Sequence, residues 1–250
     1  MKAKILIAAM AGAIAFSPVA KAEDLFSEKD LGGKFSANVG LVSEYLFRGT
    51  TQSGEGDPAI QGGFDFAHDS GVYVGTWASN INFGDNIETD FYGGFSKELG
   101  KEKIGLNIGA IYYKYPGANE ALKLDYWEAY VGLSKDFGVA ALSTKFSYSP
   151  DWTGTSKSDA QYLEAAVDIP AGKYFTVNLH AGHQWFEKNT GTGAVGLDDY
   201  TDWSIGVSFG LAGFKAKVAW VDTDLPGSQL VSTYSQKDSG KLIASLSRSF

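Results

Sequence analysis

Lys241-Leu-Ile-Ala-Ser-Leu-Ser-Arg-Ser-Phe250 closes the chain and alternates between apolar and polar residues. Successive side chains on a strand point to opposite faces, so Leu242, Ala244 and Leu246 share a face with the terminal Phe250. Arg248 interrupts that face. An amphipathic strand ending on an aromatic suits a sheet closed in lipid, where the last strand pairs with the first and no edge stays open. Phe250 is therefore read as a barrel-end signal.

The other end of the chain fits export. Lys2 and Lys4 precede an apolar core over 5–16, and Ala20-Lys21-Ala22 forms a small-x-small cleavage site. That core is well short of the roughly 20 apolar residues of a spanning helix. Residues 1–22 are thus expected to be a cleaved signal peptide, 23–34 a periplasmic lead-in and 35–250 the folded domain. Cleavage removes three lysines and no acid, taking the net charge from −8 to −11. Such an acidic protein is a poor nucleic-acid partner. Cysteine is absent, which excludes disulfides and thiolate metal sites. Gly (31), Phe (16), Tyr (13) and Trp (6) are abundant, a profile of strands with aromatic belts.

Period-2 segments recur throughout, and helical periodicity is absent outside the leader. Phe35, Ala37, Val39, Leu41 and Tyr45 alternate with Ser36, Asn38 and Glu44 in a first strand reaching about Phe47. Ile104, Leu106, Ile108, Ala110 and Tyr112 share a face further on, as do Leu163, Ala165, Val167 and Ile169. The segment 72–79 is ambiguous, because Tyr73 and Trp77 oppose Val72 and Val74. About twelve strands result, joined by connections that alternate strictly between short and long. That sorting predicts an all-β, closed antiparallel up-and-down transmembrane barrel with short periplasmic turns and longer extracellular loops. A soluble barrel of lipocalin type is the competing reading of the same alternation. The Gly, Ser and Tyr content of the polar faces and the aromatics near strand ends favour the membrane.

The stretch Ser43-Glu-Tyr-Leu-Phe-Arg-Gly-Thr-Thr-Gln-Ser53, with Asp57-Pro-Ala-Ile-Gln-Gly-Gly-Phe-Asp-Phe66 and Gly71-Val-Tyr-Val-Gly-Thr-Trp-Ala-Ser-Asn80, resembles the TorF-type porin family of proteobacteria. Tyr112-Tyr-Lys-Tyr-Pro-Gly117, Tyr148-Ser-Pro-Asp151, Tyr200-Thr-Asp-Trp203 and Val221-Asp-Thr-Asp224 continue the likeness in the same order, over essentially the whole mature chain. The resemblance implies a barrel of the Gram-negative outer membrane, with outer-membrane lipids and the barrel-assembly machinery as partners. It brings no catalytic residues. Arg248 departs from it, standing where barrel-end signals favour an apolar or aromatic residue.

Parity places Glu44, Asp65, Glu88, Asp90, Glu128, Glu164, Asp168, His180 and Asp202 towards the lumen, against Lys145, Lys215, Lys217 and Lys241. Such a lining points to passive diffusion of small hydrophilic solutes or ions, with a cation lean. The alternative is a plugged barrel, a receptor or envelope-structural protein, filled by pairs such as Glu164 or Glu128 with Lys145. Arg48 reads as a constriction residue or anion ligand, or as the partner of a nearby carboxylate or loop carbonyl. Asp57, Asp222 and Asp224 in outer loops are read as solvated rather than metal-binding. No metal site, cofactor or catalytic residue is expected. A hydrolase is the least favoured class: His68 falls in a turn, His183 faces outward, and no Ser stands in a nucleophile context.

Overall fold

The structure, a computed structural model, describes residues 27–83, 86–152, 158–187, 198–225 and 240–250. The expected leader lies outside them. A one-turn helix, α1 (Glu28–Leu31), is capped by Ser27 and stopped by left-handed Gly32. Strands follow: β1 (Gly33–Val42), β2 (Leu46–Phe47), β3 (Thr50–Thr51), β4 (Ala59–His68), β5 (Val72–Asn80), β6 (Ile87–Leu99) and β7 (Ile104–Lys114). The second half holds β8 (Tyr126–Asp136), β9 (Ala141–Ser149), β10 (Ala160–Ala171), β11 (Phe175–Phe186), β12 (Tyr200–Leu211), β13 (Phe214–Thr223) and β14 (Lys241–Ser249).

Twelve of these strands close an antiparallel barrel in the order β1-β14-β13-β12-β11-β10-β9-β8-β7-β6-β5-β4, and β2 and β3 form a separate two-stranded ribbon. The expected fold is therefore observed. Closure comes from β1 pairing with β14, where five residue pairs run from Asn38 with Ser249 to Val42 with Ser245. Its other neighbour, β4, shares ten pairs with β1. Short turns link the strands at the end that carries Gly33 and Ser249, and the long connections gather at the opposite end.

The wall is apolar outside and polar inside. Ile60, Phe64, Val74, Phe91, Ile108, Val131, Leu163, Ile205 and Leu242 are exposed on its outer surface. Trp127, Trp185, Trp203 and Trp220 lie outward towards the long-loop end, and Phe35, Phe175 and Phe250 towards the short-turn end. An outward apolar band between two aromatic girdles is the surface of a barrel in lipid. Segment 72–79 is resolved by Tyr73, which is buried and donates its hydroxyl to Asn107 Oδ1 at 2.7 Å. A phenol in hydrocarbon would lack that partner, so Val72 and Val74 take the outer face.

The first strand is shorter than its periodicity suggests. It ends at Val42 rather than near Phe47, and Tyr45 turns into the barrel rather than sharing the outer face of Leu41. The reason is the bend at 43–44. Ser43 exchanges hydrogen bonds with Ala244 on β14, and Glu44 pairs with Lys241, so the chain folds inward over the rim. The main cluster of buried apolar side chains forms there, at the long-loop end. It comprises Ile81, Phe83, Tyr113, Tyr115, Leu124, Tyr126, Trp152 and Ala160, with Tyr45 and Phe47 packed against it.

Candidate functional site

The inward segment is a hairpin. Arg48 and Gly49 both take positive φ, 49° and 76°, as a two-residue turn of primed type requires, and they join β2 to β3. Its tip crosses the lumen. A Cβ added to Gly49 would sit 2.9 Å from Asp202 Cβ and 3.3 Å from Thr223 Cβ, on β12 and β13. Arg48 donates through Nη1 to Gln184 Oε1 and through Nη2 to Glu128 Oε2, each at 2.8 Å. Its guanidinium lies 4.1 Å from the Tyr162 ring centre, with Phe47 and Trp152 also in cation–π range. Gln184 is 0% and Glu128 2% exposed, so the contact is dry. An arginine keeps its charge at any ordinary pH, and a buried charge persists only when paired and hydrogen-bonded. Glu128 and Gln184 meet that need from β8 and β11.

Below the hairpin the wall carries a connected set of polar groups. Lys145 Nζ lies 2.7 Å from Glu164 Oε1, whose other oxygen is 3.1 Å from His180 Nε2. His180 Nδ1 is 3.4 Å from Asp202 Oδ1, and Tyr162 donates its hydroxyl to Asp202 at 2.7 Å. Asn178 donates to Asp168 at 2.6 Å, Tyr92 to Asp65 at 2.5 Å, and Tyr45 to Glu88 at 3.1 Å. Lys145 with Glu164, and Asn178 with Asp168, are direct partners on neighbouring strands, because antiparallel register brings alternate side chains onto one face. Tyr162 and Tyr92 instead each reach across an intervening strand, β11 and β5, to Asp202 and Asp65. Glycine makes room for the rings. A Cβ at Gly182 would collide with Tyr162, and one at Gly75 with Tyr92, so both phenols lie flat against the wall.

A cavity of about 680 Å³ opens among these groups, lined by Glu44, Arg48, Asp90, Lys145, Glu164, Asp168, His180, Asp202 and Lys217. Glu88 and Glu128 are buried close to the hairpin. Lys215 is the next residue of the same parity as Lys217 on β13. His68 ends β4 at the short-turn end, and His183 packs edge-on against Trp185, ring centres 4.5 Å apart. Among the described residues no group of three or more His, Cys, Asp or Glu is placed to hold a metal ion. Gln184, Tyr162 and Trp152, which hold the hairpin, were not singled out from sequence. The one local signal for the hairpin is Gly49, a residue that takes positive φ freely, inside a run of strand-forming residues.

A family model described as a bacterial protein of unknown function (Gcw_chp) matches residues 27–250. The chain belongs to that family. No curated protein matches it by sequence. Among solved structures it is similar to a KdgM porin, with a TM-score of 0.55 at 9% identity over 86% of this chain and 99% of that one. A KdgM porin in complex with disordered oligogalacturonate gives 0.54 at 7% identity, covering 86% and 99%. An outer membrane channel from Pseudomonas putida F1 gives 0.53 at 11% identity, covering 88% and 96%. At these identities the likeness concerns the fold, which is that of outer-membrane porins.

Proposed function

We propose that the protein is an outer-membrane channel for the passive passage of small hydrophilic solutes, leaning towards cations. One observation carries the reading: a polar, charge-lined cavity of about 680 Å³ runs inside a wall whose outer face is apolar. Porins are built in that way, because the wall must satisfy lipid outside and hydrated solute inside. Among the described residues five carboxylates and three cations line the cavity, a formal charge of −2, which favours cations. The likeness to TorF-type porins in Ser43–Ser53 points the same way, and export through a cleaved leader would place the barrel. In a planar bilayer the folded protein should give discrete conductance steps with a cation-leaning reversal potential. Silence in that experiment would sink the channel reading. Asp168→Asn should move the reversal potential towards neutrality.

A second reading, a closed barrel serving as receptor or envelope component, is supported by the hairpin that spans the long-loop mouth. On the channel reading the same hairpin is a constriction that shifts for larger solutes to pass. A hydrolytic role is disfavoured at His180. Both ring nitrogens face carboxylates, Glu164 and Asp202, which leaves neither free to activate a hydroxyl.

A further inference from the structure

Among the described residues nine acidic, basic or histidine side chains line the cavity, and seven are engaged by the neighbours described above. Asp90 and Lys217 differ. Neither makes a side-chain hydrogen bond or ion pair among the described residues, and Asp90 Oδ1 is buried without a partner. Asp90 is only 5% exposed, and a carboxylate so placed is costly unless something charged or polar comes to it. In the ladder it stands directly between Trp77 on β5 and Tyr113 on β7, both of which also line the cavity. A carboxylate flanked by aromatic rings suits an ammonium group.

Lys217 supplies the complement. Its strand, β13, lies five junctions from β6 along one arc of the barrel and seven along the other. Lys217 feels the Asp168 carboxylate without pairing directly to it, so the two charges of the cavity that lack a direct partner come from opposing walls and carry opposite signs. A simple cation would satisfy Asp90 and meet Lys217 as a repulsion; a simple anion would do the reverse. The volume lies in the range of small-molecule sites. We propose that the cavity binds an extended zwitterion, with its ammonium group at Asp90 and its carboxylate, at the other end of the molecule, at Lys217. A linear ω-amino acid or a short peptide has that form. The site rests on the channel reading only for how such a solute would arrive and leave.

The test uses folded protein in detergent micelles and three probes of one length: 6-aminohexanoate, 6-aminohexanol and 6-hydroxyhexanoate. Calorimetry should find the zwitterion bound at least ten-fold more tightly than either singly charged probe. In Asp90→Asn the preference over 6-hydroxyhexanoate should vanish, and in Lys217→Gln the preference over 6-aminohexanol. A heat-modifiable gel shift checks that each variant is folded, and the comparison in the unsubstituted protein stands without them. Equal binding of all three probes, or no binding, would overturn the site. Swelling of reconstituted liposomes in arabinose separates the two proposals. Swelling without zwitterion binding leaves the channel and removes the site; binding without any permeation leaves the site and removes the channel.

Discussion

Arg48 decides whether the long-loop mouth is crossed. Its guanidinium is held by Glu128, Gln184 and three aromatic rings, and its side chain is 6% exposed. Removing one member of such a pair leaves a bare buried charge, a loss of about 3–5 kcal/mol. Glu128→Gln should therefore lower stability to denaturant and raise single-channel conductance several-fold. Arg48→Lys keeps the charge but cannot form the two-nitrogen fork, so its conductance should fall between those of Glu128→Gln and the unsubstituted protein. A conductance unchanged in both variants would show that Arg48 does not hold the constriction. Sequence parity put Glu128 on the lumen side, yet gave no means of finding its partner. The two residues are separated by 80 positions, and only closure of the barrel makes them neighbours.

At the scale of elements, the hairpin formed by β2 and β3 stands apart from the wall and can be trapped. The chain has no cysteine, so Gly49→Cys with Thr223→Cys would introduce a single possible disulfide. A Cβ at Gly49 would lie 3.3 Å from Thr223 Cβ, close to the spacing a bridge needs, although at φ 76° and 2.9 Å from Asp202 Cβ the hairpin tip must shift slightly to take it. The oxidised protein should conduct less than the reduced one, by two-fold or more in bilayer recordings; equal currents would mean a hairpin that does not move. Enlarging the wall glycine opposite Tyr162, as Gly182→Leu, should push that ring away from Arg48 and Asp202 and raise conductance without altering strand pairing. The wall strands were legible in the sequence because their outer faces repeat at period 2 over nine or more residues. The hairpin was not. Tyr45-Leu46-Phe47 continues the apolar run of β1, and an aromatic residue suits lipid and a packed mouth equally well.

The whole molecule is a short tube whose outer surface could not remain in water. Folded protein should migrate faster on a gel before boiling than after it; identical mobility, with all the protein in the soluble fraction, would rule out the membrane barrel. Phe64→Arg on the outer face should cost about 2–4 kcal/mol if it lies at mid-membrane, whereas an inward change such as Lys215→Gln should barely affect stability. Barrel, strand number and loop sorting were open to sequence reasoning because each is a one-dimensional pattern. The seating of Arg48 and the two unengaged charges depend on which strands face one another across the lumen, which no linear pattern encodes. The seam between β1 and β14 has a consequence for biogenesis. The base of the hairpin is fastened to the last strand, through Ser43 with Ala244 and Glu44 with Lys241, contacts that span 201 and 197 residues. Contacts so distant along the chain form late. A nascent barrel therefore cannot seat its own stopper until its final strand arrives, so sealing the wall and shutting the mouth become one step in time.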